Sequence, residues 1–227
     1  MSVRPRPRQL AFSLDHDKSF ARDDFLTGPS NAAAAGLIER WPDWPNPVVV
    51  LTGPEGAGKS HLAAIWAETT GARFLAGRAL GQADLHASLS TGALVLEDLA
   101  GSDIDERRLF HLLNLAREEG AFVLVTARTA PAGWALQIPD LASRLRALPA
   151  VELGPPDDVL LRAVLVKLFA DRQLAVEENL VGYLSVRIER SFAAAQHIVQ
   201  RLDDEALRRQ RPVSRVMAAE IMISEQP

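Results

Sequence analysis

The sequence GPEGAGKS occupies residues 53–60 and directly follows the apolar run VVVLT at residues 48–52. Its spacing is that of a phosphate-binding loop, in which backbone N–H groups surround the phosphates, Lys59 reaches the β and γ phosphates and Ser60 ligates Mg²⁺. Such a loop requires a strand before it and a helix after it. Four of the five residues in 48–52 are β-branched, and residues 61–68 contain neither glycine nor proline, so both elements are predicted. An ordinary glycine turn is the alternative, but it gives no reason for the Gly-Lys-Ser ending.

We expect the phosphates of a bound nucleotide to contact the whole loop and the start of its helix. The positive end of the helix dipole adds to the attraction for an anion there. The predicted phosphate-binding residues are Gly53, Pro54, Glu55, Gly56, Ala57, Gly58, Lys59, Ser60 and His61.

The composition is that of an ordinary soluble globular protein. The chain has 227 residues, of which 48% are hydrophobic and 24% are charged. It contains no cysteine, which excludes disulfides and thiolate metal sites. No apolar stretch is long enough to span a membrane, and residues 1–14 are rich in arginine without the apolar core of a secretion signal, so we expect a cytoplasmic protein. The net charge of −4 argues against a protein that coats nucleic acid.

The order of apolar and helical patterns predicts an α/β fold with a mostly parallel sheet and helices on both faces. After the strand at 48–52, further strands are predicted at 73–76, 93–97, 121–126 and 150–153. Helices are predicted before and between them, notably at 31–40, 61–68 and 105–119. Beyond the Gly-Pro-Pro at 154–156 the patterns are only helical, at 157–172, 177–187, 191–209 and 213–222. We therefore predict a flexible tail at 1–19, a nucleotide-binding α/β domain at 20–154 and a small all-helical domain at 155–227.

An acidic pair follows the predicted strand in the segment ALVLED at residues 93–98. The carboxyl ends of parallel strands meet at one edge of a sheet, so Glu97 and Asp98 would lie at the edge that carries the phosphate-binding loop. A nucleotide site needs one carboxylate to hold Mg²⁺ and often a second to orient water. We therefore predict a Walker B element, with Glu97 and Ser60 as metal ligands and Asp98 as a catalytic residue.

The order and spacing of these pieces resemble the AAA+ ATPases of the DnaA/Hda family over nearly the whole chain. PDLASRL at residues 139–145 is similar to the segment that carries the arginine finger of that family, and Arg144 is the matching position. Thr126, at the end of a predicted strand, matches the first sensor residue. The resemblance implies an AAA+ core followed by the helical lid domain of the family.

The same resemblance implies an adenine nucleotide as cofactor. DDFLTGPSN at residues 23–31 looks like the stretch with which family members contact the adenine, so Phe25 and Leu26 become predicted cofactor contacts. The implied cofactors are ADP or ATP with Mg²⁺, and the sequence does not decide between the two nucleotides.

Departures from the family pattern favour its shorter, Hda-type regulators over the initiator. We expect no sequence-specific DNA binding, because the chain ends without room for the helix-turn-helix domain of the initiator, and residues 77–92 are short for its single-strand-binding insertion. Glu97 stands where the family has Asp. Ala193 stands where the second-sensor arginine is expected, with Arg190 as a substitute. Together these departures predict a protein that holds a nucleotide and hydrolyses it slowly.

QLAFSL at residues 9–14 is an apolar segment inside a polar tail. Gln9 can form hydrogen bonds while Leu10, Phe12 and Leu14 enter an apolar cleft on a partner. The pattern is similar to the clamp-binding peptide of Hda-type proteins, which docks on the sliding clamp, the β subunit of DNA polymerase III. An edge strand or a hydrophobic staple onto the ATPase core is the alternative.

The resemblance as a whole implies a regulator that binds the sliding clamp and uses Arg144 in trans to promote ATP hydrolysis by the initiator DnaA, which prevents over-initiation of replication. A stand-alone AAA+ ATPase, such as a helicase loader, is a second hypothesis, and an inert scaffold with a relict loop is a third. For Arg144 itself, an ion pair with Asp140 is the alternative, and Arg146 is a second finger candidate. Membrane binding is not expected, and self-association is left open.

Overall fold

The structure is a computed structural model that describes residues 22–100 and 104–224. The segment at 1–19, which includes the predicted peptide QLAFSL, lies outside the described residues. Five strands are described: β1 Val48–Thr52, β2 Arg73–Ala76, β3 Ala93–Leu99, β4 Phe122–Ala127 and β5 Ala150–Glu152. The α-helices among the described residues are α1 Ala32–Glu39, α2 Lys59–Thr70, α3 Leu85–Leu89, α4 Glu106–Glu118, α5 Pro139–Arg146, α6 Asp158–Asp171, α7 Glu178–Ser185, α8 Phe192–Arg209 and α9 Arg215–Ser224. None of them is both long enough and apolar enough to cross a membrane.

The five strands form one parallel sheet in the order β2-β3-β4-β1-β5. Every residue of β1 is buried, as its run of β-branched and aliphatic side chains requires for a strand that is covered on both faces. Because all strands are parallel, their carboxyl ends share one edge. The predicted mixed α/β fold with a parallel sheet and helices on both faces is confirmed.

The side chains of β1 alternate between two apolar clusters. Val49 and Leu51 pack with α1 and α2 on one face, where Trp44 stacks on Trp66 at 5.0 Å between ring centroids. Val48 and Val50 face the other cluster, which holds the apolar side chains of α3, α4 and α5. The sheet therefore fixes α2, which follows the loop at 53–58, and α5, which carries Arg144, on opposite faces.

The last four helices, α6 to α9, form a third cluster of their own around Phe169 and Leu202. Within α8 the apolar residues recur at helical spacing and face this cluster. This arrangement agrees with the division of the chain at 154–155, which stays a prediction. The helix α3 lies within the segment 77–92 and is capped at its N-terminus by Asp84, whose carboxylate accepts a hydrogen bond from the N–H of Ala87.

We expect Trp66→Ala to lower the free energy of unfolding by about 3–5 kcal/mol, because the mutation leaves a large cavity beside Trp44. Trp66 is 1% exposed, whereas Phe74 on the edge strand β2 is 51% exposed. Phe74→Ala is the matched control, and its effect should stay within about 0.5 kcal/mol. Urea denaturation followed by circular dichroism measures both. Equal losses in the two variants would contradict the role given to the aromatic stack.

Candidate functional site

The loop between β1 and α2 has a backbone conformation that only glycine adopts without strain at three positions, one of which is Gly58 with φ of 97°. Gly53 has φ of 144° and Gly56 has φ of 72°. A Cβ atom on Gly53 would lie 2.3 Å from the carbonyl oxygen of Leu153, which follows the neighbouring strand β5. The strand therefore ends in a turn that has no room for a side chain, and the loop folds back over the edge of the sheet.

This turn leaves a set of backbone donors without acceptors. Among the residues that the structure describes, no acceptor lies within hydrogen-bonding distance of the N–H groups of Gly56, Gly58, Lys59 and Ser60. The last two belong to the first turn of α2, where N–H groups have no partner within the helix. Such a set of donors at a helix N-terminus is suited to bind an anion with several oxygens, such as a di- or triphosphate.

Lys59 supplies a cation beside these donors. Its side chain is 6% exposed, and Nζ donates hydrogen bonds to the carbonyl oxygens of Gly53 and Pro54 at 2.7 and 2.8 Å. Burial lowers the pKa of Lys59 from its ordinary value, and the charge of Asp98 acts in the opposite direction. The ammonium group is held by loop carbonyls, which phosphate oxygens of a ligand would replace.

The acidic pair at the end of β3 lies at a break in the ladder with β4. The register shifts between Leu96 and Leu99, and Asp98 has φ of 52°. The N–H of Asp98 donates to the hydroxyl oxygen of Thr126 at 2.9 Å, and Thr126 is fully buried. The predicted first-sensor residue therefore fixes the backbone of the acidic pair.

The two carboxylates of the pair are placed differently. Asp98 is exposed, and it is the strongest charged neighbour of the Lys59 ammonium. Glu97 is half-buried and has no ion pair within the described part of the chain. No group of three or more acidic or histidine side chains forms a metal site among the described residues. The oxygens of Ser60 and Glu97, the predicted ligands, are nevertheless the hard donors that Mg²⁺ takes, and phosphates commonly complete its coordination.

Two aromatic rings flank the loop at Gly58. A Cβ atom on Gly58 would lie 3.4 Å from the ring of Phe25 and 3.5 Å from the ring of Phe192. Phe25 also meets His61 edge to face at 5.2 Å between ring centroids. Leu26, the second predicted adenine contact, is half-buried, and its carbonyl accepts a hydrogen bond from Asn31 at 3.0 Å. Aromatic side chains thus border the phosphate-binding loop, and they include Phe25 and His61, which are both predicted cofactor residues.

The helix α8 touches the loop through its backbone. The N–H of Phe192 donates to the carbonyl oxygen of Gly56 at 2.9 Å, and a Cβ atom on Gly56 would lie 2.8 Å from that of Ala193. Arg190, the predicted substitute for a second sensor, is instead paired with Asp158 at 2.7 Å. No arginine of the helical part acts on the Lys59 ammonium, whose charged neighbours are Asp98, Arg128 and Glu55.

No protein-family model matches the chain. The structure is similar to domain III of the replication initiation protein DnaA from Thermotoga maritima, with a TM-score of 0.76 and 16% identity over 93% of this chain and 99% of that chain. AMPPCP-bound DnaA from Aquifex aeolicus gives a TM-score of 0.64 at 19% identity over 86% and 69% of the two chains. The RuvB Holliday junction branch migration motor of Thermotoga maritima gives 0.70 at 18% identity over 91% and 72%. This chain has an AAA+ ATPase fold.

The arginine-finger candidate of this AAA+ fold lies in the last turn of α5. Arg144 donates from Nη1 to Oδ1 of Asn114 at 2.7 Å, and its Cζ lies 5.2 Å from the ring centroid of Phe110. An ion pair with Asp140 is not found among the described residues. Arg146 is exposed, and its Nε donates to the carbonyl of Ala142 in its own helix.

Sequence reasoning missed an ion pair beside the loop and the contacts of Arg144. Arg128 pairs with Glu55 at 2.6 Å, with both side chains exposed. It follows β4 by one residue, so its position at the carboxyl edge of the sheet was a usable signal. Asn114 and Phe110 gave no signal, because they are about thirty residues from Arg144 in sequence and meet it only through packing.

We expect Gly56→Ala to weaken nucleotide binding, because its Cβ would push Ala193 and the helix α8 away from the loop. Gly71→Ala is the matched control, since Gly71 has φ of 69° and nothing within 4 Å of its Cβ position. Both variants should lose about 1–2 kcal/mol of stability through left-handed backbone strain. Only Gly56→Ala should also reduce the thermal shift on adding ADP. An undiminished ADP shift in Gly56→Ala would show that the contact with α8 does not matter for binding.

Proposed function

We propose that this chain is an adenine-nucleotide-binding AAA+ regulator that promotes ATP hydrolysis by the replication initiator DnaA. It docks on the sliding clamp through the peptide at residues 9–14, and its action prevents over-initiation of DNA replication. In this proposal the chain, which has an AAA+ fold, acts as an Hda-type regulator. It keeps the division into a tail at 1–19, a core at 20–154 and a lid at 155–227, and a cytoplasmic location.

The nucleotide acts mainly as a structural ligand in this proposal. The free N–H groups of the loop and the Lys59 ammonium fit a diphosphate, and the rings of Phe25 and Phe192 offer an apolar border for a base. Ser60 and Glu97 would hold Mg²⁺, and Asp98 would orient water. A bound nucleotide would fix the angle of the lid, because α8 already contacts the loop at Gly56. The AMPPCP-bound DnaA of similar fold supports an adenine nucleotide, either ADP or ATP.

The observation that carries the proposal is the contrast between two arginines. Arg190, two residues before the Phe192 N–H that contacts the loop, is paired with Asp158. Arg144 is half-buried and donates one side-chain hydrogen bond, and its other N–H groups have no acceptor among the described residues. The Arg144 guanidinium therefore lies away from the chain's own phosphate-binding loop, where it could contact a nucleotide bound to a neighbouring subunit.

The chemistry of Arg144 is that of an arginine finger. A guanidinium placed against the γ-phosphoryl group of a partner's ATP stabilises the charge that develops during transfer, and it contributes about 10³–10⁵-fold to the rate in nucleotide switches. The planar fork of donors matches phosphate oxygens, which a lysine does not reproduce. Hydrolysis in the chain's own site is expected to be slow without a lid arginine.

One observation favours the second hypothesis, a stand-alone AAA+ ATPase such as a helicase loader or a DnaA-like replication factor. The exposed Asp98 carboxylate lies near enough to Lys59 to affect its pKa, as a residue that orients water would. This hypothesis expects appreciable hydrolysis by the isolated protein that is stimulated by single-stranded DNA and lost in Lys59→Ala.

We expect Arg144→Ala to retain ADP binding and clamp binding and to lose the acceleration of ATP hydrolysis by DnaA. Phosphate release from ATP-loaded DnaA, measured with clamp-loaded DNA, is the readout. Arg146→Ala is the matched control, because this arginine lies on the same helix and is exposed, and it should keep full acceleration. Acceleration that survives in Arg144→Ala and disappears in Arg146→Ala would move the finger to Arg146, and acceleration that survives in both would remove the mechanism.

The double variant Gln9→Ala, Leu10→Ala should abolish capture of the protein on immobilised sliding clamp while leaving its thermal shift with ADP unchanged. The glutamine loses its hydrogen bonds and the leucine loses its apolar contact, and the folded core is untouched. Arg4→Ala, Arg6→Ala in the same tail is the control for a purely electrostatic attachment. Equal clamp capture by wild type and the Gln9, Leu10 variant would refute clamp binding through this peptide.

A further inference from the structure

We infer that Asn114 on α4 is a positioning residue for Arg144, and that the ring of Phe110, over which the Arg144 guanidinium lies, assists it. The inference rests on the proposed role of Arg144 and adds the element that sets its direction. It concerns residues that no sequence pattern singled out.

The guanidinium of Arg144 is fixed by two different contacts. Oδ1 of Asn114 accepts a hydrogen bond from Nη1 at 2.7 Å, and the ring of Phe110 lies 5.2 Å from Cζ. A hydrogen bond at one corner and a ring contact together restrict both the position and the plane of the group. The donors that remain have no acceptor among the described residues, so they are presented in a fixed direction to whatever lies beyond α5.

The partner of Arg144 is an amide and not a carboxylate. Asn114 supplies an acceptor oxygen without a negative charge, so it orients the guanidinium and leaves its charge unpaired. Other arginines among the described residues pair with a carboxylate, as Arg190 does with Asp158, or with a neutral acceptor, as Arg172 does with the amide of Gln200. Asn114 therefore orients Arg144 without neutralising it, and the guanidinium can still bind a phosphate on another molecule.

The helix α4 also fixes the other end of α5. The carboxylate of Glu106 accepts hydrogen bonds from the N–H groups of Gln137 and Ile138 at 2.8 Å each, just before α5 begins at Pro139. Glu106 and Asn114 are eight residues apart, which is about 12 Å along a helix. Leu141 and Leu145 are buried in the apolar cluster that also holds side chains of α4. The finger helix is therefore tied to α4 by hydrogen bonds just before its start and at Arg144, and the two helices share one apolar cluster.

Two readouts test the inference, one for order and one for rate. Protein with isotope-labelled arginine should show slow rotation of the Arg144 guanidinium by NMR, identified by its loss in Arg144→Ala. Asn114→Leu removes the acceptor at similar size and should abolish that order. Asn114→Asp keeps an acceptor oxygen and should restore the order of the guanidinium.

In the assay with ATP-loaded DnaA, the acceleration of hydrolysis should fall by about 10–100-fold in Asn114→Leu, as expected for a displaced catalytic group. Asn114→Asp should recover part of that acceleration.

A double-mutant cycle separates positioning from general damage to the fold. Asn114→Leu should cost nothing further in an Arg144→Ala background, because its effect acts through Arg144. Independent, additive losses would overturn the inference, as would an Arg144 guanidinium that stays ordered in Asn114→Leu. If order is lost and acceleration is unchanged while Arg144→Ala abolishes it, the positioning role is refuted and the finger stands. If wild type gives no acceleration at all, the proposed function fails, and the NMR result alone then decides whether Asn114 fixes the guanidinium.

Discussion

The close approach of Gly53 to the carbonyl of Leu153 is the constraint on which the site depends. The strand β1 is buried on both faces, so it must end where the chain can turn without a side chain. After that turn come N–H groups of the loop and of the first turn of α2 that make no hydrogen bond within the described part of the chain. The turn that glycine allows at position 53 thereby creates an anion-binding site, because N–H groups without acceptors beside the buried Lys59 ammonium are satisfied by an anion.

The parallel sheet brings the remaining parts of the site to the same edge. Since every strand runs in one direction, Asp98 and Arg128 emerge near the loop although they are about 40 and 70 residues beyond it in sequence. This is why the strands, the loop and the acidic pair could be predicted from the sequence. Hydrophobic periodicity defines the strands, and the direction of the sheet fixes which of their ends meet.

Contacts between side chains on different helices could not be predicted in the same way. The hydrogen bond from Arg144 to Asn114 depends on how α4 and α5 pack, and no periodicity reports that register. For Arg190 the sequence allowed a role at the phosphates, and the structure pairs it with Asp158. Polar partners of this kind are set by a few ångströms of helix placement, so they are known only once the packing is.

The predicted nucleotide-binding loop and the arginine-finger candidate Arg144 belong to different apolar clusters of the chain. The helices α6 to α9 meet the loop through Phe192 and Gly56, on the side of α2, and their apolar residues form a cluster separate from the sheet. Arg144 belongs to the opposite face, where α4 and α5 share one cluster with β3 and β4. A shift of the last four helices therefore need not move the Arg144 guanidinium relative to the sheet, because Asn114 on α4 accepts its hydrogen bond and no residue of α6 to α9 does so among the described residues.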